Sequence, residues 1–303
     1  MRVTTFSRPQ GTRGGFFAAA LVVALAACAP AAEIDEVAVS SGGAQAVAPD
    51  AGLDNLNAVL WVQSAVEYRA TCLQAFALAR RVLDDALADP GWSAALEQTG
   101  DFADLPPAVV LDIDETVLDN SPFEARLTVD GEAYSDELWD AWVLEEAAMP
   151  LPGVRDFLAH AVERGVTIFY ITNRRAHLED ATRANLEAEG LPLNDGVDTL
   201  LMRGELPEWD TSNKTSRRER VAADYRVLLM VGDNMGDFTG AASGSVAERQ
   251  AFAEAHHDKW GTRWITLANP THGSFIGAVL DNDYAMPVEQ QIRVKKAALN
   301  PRR

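Results

Sequence analysis

The chain has few cysteines, few basic residues and few long apolar runs. Two cysteines in 303 residues exclude a disulfide-rich scaffold. Lys and Arg number 26 against 45 Asp and Glu, for a net charge of −19, which argues against binding to a nucleic-acid backbone. The one long apolar run, 16–29, is short for a membrane span. With 48% hydrophobic and 23% charged residues, the rest has the composition of a globular domain.

The N-terminus has the pattern of an export signal. Arg2, Arg8 and Arg13 precede the apolar run and no acidic residue does, which predicts a secretory signal peptide over residues 1–27. The run ends Leu25-Ala26-Ala27-Cys28, which resembles a bacterial lipobox and implies that Cys28 is lipidated. The alternative is a buried N-terminal helix with an incidental cysteine. Residues 28–52 are rich in Ala, Gly, Ser and Pro and are predicted to be a flexible tether. Acylation would leave Cys72 without a disulfide partner, and we expect it to be a small core residue.

Downstream of the tether the sequence first has a long helical pattern and then short apolar runs that alternate with helical stretches. Apolar residues from Leu53 onward recur at helical spacing until Asp89-Pro90-Gly91, and Trp92–Gln98 is a candidate second short helix. Then come five short apolar runs separated mostly by helical stretches, which predicts an α/β fold with a parallel sheet covered by helices on both faces. The runs are 108–111, 166–171, 199–202, 227–231 and 264–267, and the helical stretches are 153–164, 177–189 and 216–223. Residues 120–150 interrupt the alternation and are predicted to be an insertion after the first strand.

Chemically active side chains follow several of these predicted strands. In an open α/β sheet the carboxyl ends of the strands meet at one edge, where ligands bind. Four acids, one hydroxyl and one cation are therefore expected to converge there: Asp112, Asp114, Thr172, Lys214, Asp233 and Asp237. Packed carboxylates repel unless a cation is present, and Mg²⁺ is the natural choice beside phosphate. Each motif alone could be an ordinary turn, but together they predict phosphoryl transfer, with the nucleophile left open between Asp112 and Asp114.

The same stretches carry a family resemblance. LDIDETVLDN, YITNR, the Lys214 helix and VGDNMGDF resemble the four motifs of the haloacid dehalogenase (HAD) superfamily. Within it, the chain resembles the class C acid phosphatases, which are bacterial lipoproteins with 5′-nucleotidase activity. Supporting stretches are WVQSAVEY at 61–68, DNSPF at 119–123 and LANP at 267–270, and the similarity covers roughly Leu56 to Phe275. The resemblance implies a HAD-like Rossmannoid sheet with an N-terminal helical segment and a small cap after the first strand.

The resemblance also implies a role for each matching residue. Asp112 would be the nucleophile that forms an aspartyl-phosphate, and Asp114 the general acid and then base. One Mg²⁺ per chain would be held by the Asp112 and Asp233 carboxylates and the Asp114 backbone carbonyl. Thr172, Asn173 and Lys214 would bind the phosphoryl group, and Asp237 would orient Lys214 and metal-bound waters.

Aromatic residues are the candidates for substrate recognition. In the resembled family, aromatics from the insertion and from the loop after the last strand clamp the nucleobase, which implies stacking by Phe123, Trp139 and His272. His272 stands near a position where the family often has Tyr. The alternative for Trp139 and its neighbour Trp142 is packing of the insertion onto the core. Arg174 and Arg175 either contact substrate phosphate or balance nearby acids.

We therefore expect a Mg²⁺-dependent acid phosphatase that hydrolyses small phosphomonoesters, 5′-nucleotides foremost. The predicted catalytic domain is 53–303, with its core at 101–119 and 151–280 and helical or cap elements at 53–100 and 120–150. The protein would be attached to a bacterial envelope, most simply the outer membrane, by its lipid alone, and the sequence leaves a homodimer open. The rival hypotheses are a phosphotransferase that passes phosphate to an alcohol and a non-catalytic binding lipoprotein.

Overall fold

The computed structural model describes residues 51–194 and 196–302. The predicted signal peptide, the tether and Cys28 lie outside this range, apart from the last residues of the tether. Within it, no helix combines the length and apolar character that crossing a membrane requires. Cys72 is described and is fully buried, as predicted for a core residue.

A parallel sheet forms the centre of the described chain. Its five strands are β1 Pro107–Leu111, β4 Thr167–Arg175, β5 Leu200–Arg203, β6 Arg226–Gly232 and β7 Trp264–Thr266. The predicted apolar runs all became strands, with small shifts at their ends. The strands have the order β5-β4-β1-β6-β7 in the sheet, and every neighbouring pair is parallel.

The strands are apolar throughout because both faces of the sheet are covered. On β1, Val109 and Leu111 point to one face while Ala108 and Val110 point to the other, and each set joins a different buried cluster. Helices α2 Val66–Ala88, α5 Val154–Glu163 and α6 Glu179–Ala188 cover the first face. Helices α7 Thr215–Asp224, α8 Met235–Phe238 and α9 Val246–Ala255 lie on the second. The predicted two-sided architecture is thus confirmed.

Before β1, the described residues form a short 3₁₀ helix, Ala51–Asp54, then two α-helices and an irregular stretch. The helical pattern after Leu53 forms α1 Leu56–Ser64 and the long α2. The prediction of a helix over Trp92–Gln98 is wrong, because tertiary hydrogen bonds replace the local ones there. The N–H of Ala94 donates to the carbonyl of Val227 at 2.8 Å, and the side chain of Gln98 donates to the carbonyl of Tyr225 at 2.6 Å.

The insertion after β1 forms a small helical cap. It contains α3 Ser121–Asp130 and α4 Asp136–Val143, framed by the short antiparallel pair β2 Leu118–Asp119 and β3 Met149–Pro150. Ser135 begins α4 by accepting the backbone N–H of Leu138 at 3.2 Å. Gly153, with φ of 94°, follows the cap segment, and a Cβ at this position would lie only 3.3 Å from the Cβ of Phe76. The C-terminal helices are α10 Ser274–Val279 and α11 Val288–Ala298.

Candidate active site

The turn after β1 places Asp112 and Asp114 at the carboxyl edge of the sheet. The backbone N–H of Asp112 donates to the carbonyl of Val231 at 3.0 Å, which extends the pairing with β6 by one residue. The N–H of Leu118 then returns to the carbonyl of Ile113 at 2.9 Å. This tight turn keeps both aspartates at the sheet edge instead of carrying them into the cap.

Lys214 joins the ends of β1 and β6. Its Nζ lies 2.6 Å from Oδ1 of Asp112 and donates to Oδ1 of Asp237 at 2.7 Å. The lysine is only 4% exposed. Burial alone would lower the pKa of its ammonium group, but Asp112 and Asp237 raise that pKa above its ordinary value. Lys214 is therefore a buried, charged group between two carboxylates.

Three carboxylates at this edge lie close enough to share one cation. Oxygen atoms of Asp112, Asp233 and Asp237 lie within 4.8 Å of one another. Burial, followed by the neighbouring Asp237, raises the pKa of Asp233 to about 7. Burial also raises the pKa of Asp112, against the opposing effect of Lys214. Oxygen donors that repel one another in this way fit a hard divalent cation.

Two polar side chains fix the orientation of Asp233. The hydroxyl of Thr116 donates to its Oδ1 at 3.1 Å, and the amide of Asn269 donates to its Oδ2 at 2.9 Å. Asp237 is fixed as well, since its Oδ2 accepts the backbone N–H of Asn234 at 2.9 Å in the capping box of α8. Asp237 thus contacts Lys214, as predicted. The assignment of the Asp114 backbone carbonyl to the metal stays a prediction.

Asp114 is held by residues of the stretch YITNR at the end of β4 and by a residue of the cap. Arg174, fully buried at the end of β4, donates from Nε and Nη2 to Oδ1 of Asp114 at 2.9 and 2.8 Å. Asn120 donates from Nδ2 to the same oxygen at 3.0 Å. The hydroxyl of Thr172 lies 3.5 Å from the other oxygen, Oδ2. Arg174 was predicted either to contact substrate phosphate or to compensate the charge of a nearby acid. The structure supports the second alternative, because Arg174 forms an ion pair with Asp114.

Thr172 and Asn173 are tied to the turn that precedes Lys214. Arg217, which is fully buried, donates to the backbone carbonyl of Thr172 and, at 2.7 Å, to Oδ1 of Asn173. The side-chain amide of Asn173 donates to the carbonyl of Ser212 at 3.1 Å. The side chain of Asn173 therefore serves to join two loops, and its assignment to phosphate binding stays a prediction.

The predicted stacking residues meet at the mouth of the site together with a fourth aromatic. Phe123 is 3% exposed and packs edge-on against Trp139, with ring centroids 5.2 Å apart. Tyr134 is 54% exposed, and its ring faces that of His272 at 6.5 Å. Phe123 and Trp139 thus form a wall, whereas Tyr134 and His272 present open rings. Stacking on substrate by these residues stays a prediction.

Several site residues were missed by sequence reasoning. Asn120 and Asn269 stand inside the stretches DNSPF and LANP, so the family resemblance already pointed at their positions. Arg217 lies in the polar run TSRRER, which has the appearance of a solvated helix face. Tyr134 follows Gly131 in a loop between two helices, where no local pattern marks it.

Comparison with known proteins places this geometry in a family. The family described as HAD superfamily, subfamily IIIB (Acid phosphatase), matches residues 28–275. The chain belongs to this family. This membership confirms the predicted HAD-like α/β fold, and the family's description as acid phosphatase agrees with the predicted enzyme class, a phosphoric monoester hydrolase.

Solved structures agree with the family assignment. The class C acid phosphatase from Bacillus anthracis is 33% identical, superposes with a TM-score of 0.73, and the match covers 83% of this chain and 98% of that one. A structure of the Bacillus anthracis class C enzyme with tungstate bound gives 32% identity, a TM-score of 0.72 and the same coverage of 83% and 98%.

Curated relatives are more distant. The Stem 28 kDa glycoprotein of Glycine max is 28% identical over 142 residues, which cover 45% of this chain and 54% of that protein. Acid phosphatase 1 of Solanum lycopersicum is 25% identical over 136 residues, covering 44% of this chain and 52% of that protein. The chain thus spans about half the length of the curated relatives that it matches.

Proposed function

We propose that this member of the acid phosphatase family is a Mg²⁺-dependent hydrolase of small phosphomonoesters that works through an aspartyl-phosphate. The observation that carries the proposal is the buried ion-pair chain in which Lys214 bridges Asp112 and Asp237 beside Asp233. Such a site can bind a phosphoryl dianion, because it places a buried cation next to a carboxylate nucleophile and beside carboxylates that can hold a metal ion. The relative solved with tungstate supports oxyanion binding, since tungstate and phosphate are both tetrahedral oxyanions.

The first chemical step is transfer of the phosphoryl group to Asp112. Lys214 engages Oδ1 of Asp112, which leaves the other oxygen to attack phosphorus. As that bond forms, the ester P–O bond breaks, and Asp114 gives a proton to the departing alkoxide. Mg²⁺, held by Asp112, Asp233 and the Asp114 carbonyl, would neutralise charge on the phosphoryl oxygens.

The second step returns Asp112 to its free form. Asp114, now a carboxylate, removes a proton from water as the water oxygen attacks phosphorus and the acyl-phosphate bond breaks. Thr172 and Lys214 hold the phosphoryl oxygens in both steps. A base in this position activates water for attack on the intermediate, so the aspartyl-phosphate turns over quickly.

The substrate class that we propose is the 5′-nucleotides. Tyr134 and His272 present exposed rings at the mouth of the site, and an aromatic face stacks on any nucleobase. Cleavage of a charged nucleotide would yield a nucleoside and phosphate for uptake.

For location, we propose a bacterial cell envelope, with Cys28 acylated and the catalytic domain in the periplasm or at the cell surface. The support is the basic, apolar and lipobox pattern of residues 1–28. In cells, Cys28→Ser is expected to lose incorporation of labelled fatty acid and to appear in the soluble fraction. Incorporation that persists in this variant would contradict the proposal.

The test of the reaction compares full-length protein with Asp112→Asn, which keeps size and removes the nucleophile. Phosphate release is expected to vanish in the variant while circular dichroism stays unchanged. Hydrolysis of an ester that is chiral at phosphorus should give phosphate of retained configuration, because two successive in-line displacements, first by Asp112 and then by water, each invert it. Inverted configuration would refute the aspartyl-phosphate, and phosphate transferred to added nucleoside would favour the phosphotransferase.

A further inference from the structure

The two tryptophans of cap helix α4 each contact a residue that donates a hydrogen bond to Oδ1 of Asp114. Trp142, 4% exposed, donates from Nε1 to Oδ1 of Asn120 at 2.8 Å, and Asn120 donates from Nδ2 to Oδ1 of Asp114. Trp139 lies under the guanidinium of Arg174, 5.7 Å from its ring centroid, and Arg174 donates to the same Oδ1. Because Trp139 and Trp142 are three residues apart, they share one face of α4.

These contacts leave the two oxygens of Asp114 unequal. Oδ1 receives three N–H donors, at 2.8 and 2.9 Å from Arg174 and at 3.0 Å from Asn120. Oδ2 has the Thr172 hydroxyl at 3.5 Å among the described residues. A carboxyl proton therefore has room at Oδ2 and none at Oδ1. Oδ2 is also the oxygen that faces Thr172, the residue to which we assign phosphoryl binding.

We propose that Asn120 and Trp142 are positioning residues that aim Oδ2 of Asp114 at the leaving-group oxygen. The inference rests on the proposed function, in which Asp114 is the general acid. In the step concerned, the proton on Oδ2 passes to the leaving oxygen while the P–O bond to it breaks and the bond to Asp112 forms. The amide of Asn120 prevents the carboxyl from rotating, and the indole N–H of Trp142 fixes which way that amide points.

The orientation of the Asn120 side-chain amide decides whether it donates to Asp114 or presents its oxygen to it. The Asn120 side chain must present its N–H to Asp114, and it does so because its carbonyl oxygen accepts from Trp142, which offers only a donor. Without the indole N–H the amide could turn over and present its oxygen to the carboxyl. The side-chain amide of Asn120 also donates to Oε2 of Glu115 at 3.4 Å. The backbone N–H of Asn120 donates to Oε1 of Glu115 at 2.9 Å, and a change to the side chain keeps this backbone contact.

The test measures dependence on the leaving group, because protonation matters most when the leaving alkoxide is basic. Phenyl phosphate and p-nitrophenyl phosphate have nearly the same shape, but their leaving groups differ in basicity. A change in the contacts between cap and substrate therefore affects kcat/KM for both esters alike and leaves the ratio of the two values unchanged. The quantity is kcat/KM for each, which reports the step in which the leaving group departs. The proteins are the wild type, Asn120→Leu, Trp142→Phe, and Asp114→Asn as the reference for complete loss of the acid.

We expect Asn120→Leu to lose about 10²-fold more activity on phenyl phosphate than on p-nitrophenyl phosphate, which is the scale of a misplaced catalytic group. Trp142→Phe keeps the ring and removes only the N–H, so it should show a smaller loss of the same kind. The matched control is Trp92→Phe, whose indole N–H donates to the Leu228 carbonyl at 2.9 Å, away from Asp114. Its substrate ratio should equal that of the wild type.

Equal losses on both substrates in Asn120→Leu and Trp142→Phe would overturn the inference, since general damage to the site does not depend on the leaving group. If Asn120→Leu fails to fold, Trp142→Phe decides alone. A wild type that hydrolyses neither ester would instead refute the proposed function.

Discussion

Raising the pH of the metal-free protein is expected to weaken its fold. Burial and Asp237 raise the pKa of Asp233 in the folded state to about 7, whereas its ordinary value is 3.8. Between these two values the folded protein holds a proton that the unfolded chain has released. The slope of stability against pH is therefore negative, and the contribution of this group is lost as pH rises through about 7.

The size of the effect follows from the two pKa values. A rise from 3.8 to about 7 corresponds to about 4 kcal/mol of unfolding free energy between about pH 4 and about pH 7. Asp112 shifts in the same direction and adds to the loss. A divalent cation at the carboxylates of Asp112, Asp233 and Asp237 would offset their mutual repulsion. Mg²⁺ should therefore restore stability most strongly at the higher pH.

The assay is guanidinium unfolding of protein stripped of metal by chelation and dialysis, with and without added Mg²⁺, across this pH range. Asp233→Asn is the matched control, since it keeps the shape and removes the titrating group. Its metal-free stability should decline less with pH. Metal-free stability that is flat or rises between about pH 4 and about pH 7 would refute the reasoning.

Three further predictions concern single side chains. Lys214→Met leaves Asp112 and Asp237 buried without their cation and should cost about 3–5 kcal/mol in guanidinium unfolding at neutral pH. Tyr134→Ala should raise KM for a purine nucleoside 5′-monophosphate about 10-fold, while inhibition by inorganic phosphate is unchanged. Gly232→Ala puts a Cβ into the space occupied by the Asp237 carboxylate and should reduce phosphate release about 10²-fold, whereas activity equal to the wild type would contradict this placement.

The strand ends could be predicted from the sequence, because strands of a sheet that is covered on both faces are continuous apolar runs. Each apolar run is buried on both faces, so its end marks the point where polar chemistry begins. Asp112, Thr172 and Asp233 were found by that rule alone. Which aspartate attacks phosphorus does not follow from it, and the family resemblance supplied that assignment.

Other features could not be predicted because they depend on distant partners. Gln98 and Ala94 look helical locally, but their hydrogen bonds go to residues near β6, over a hundred positions away. The same holds for Trp142, which reads as packing from its spacing and reaches Asp114 only through Asn120. Arg217 reads as a surface charge until the fold buries it behind Thr172.

The most direct test of the central claim is phosphate release from a purine nucleoside 5′-monophosphate by the full chain, first with Mg²⁺ and then with excess chelator. We expect release that the chelator abolishes and that added Mg²⁺ restores. Release that is indifferent to the chelator would contradict the metal dependence. No release from folded, Mg²⁺-loaded protein, on this ester or on p-nitrophenyl phosphate, would contradict the enzyme assignment itself and favour a binding lipoprotein.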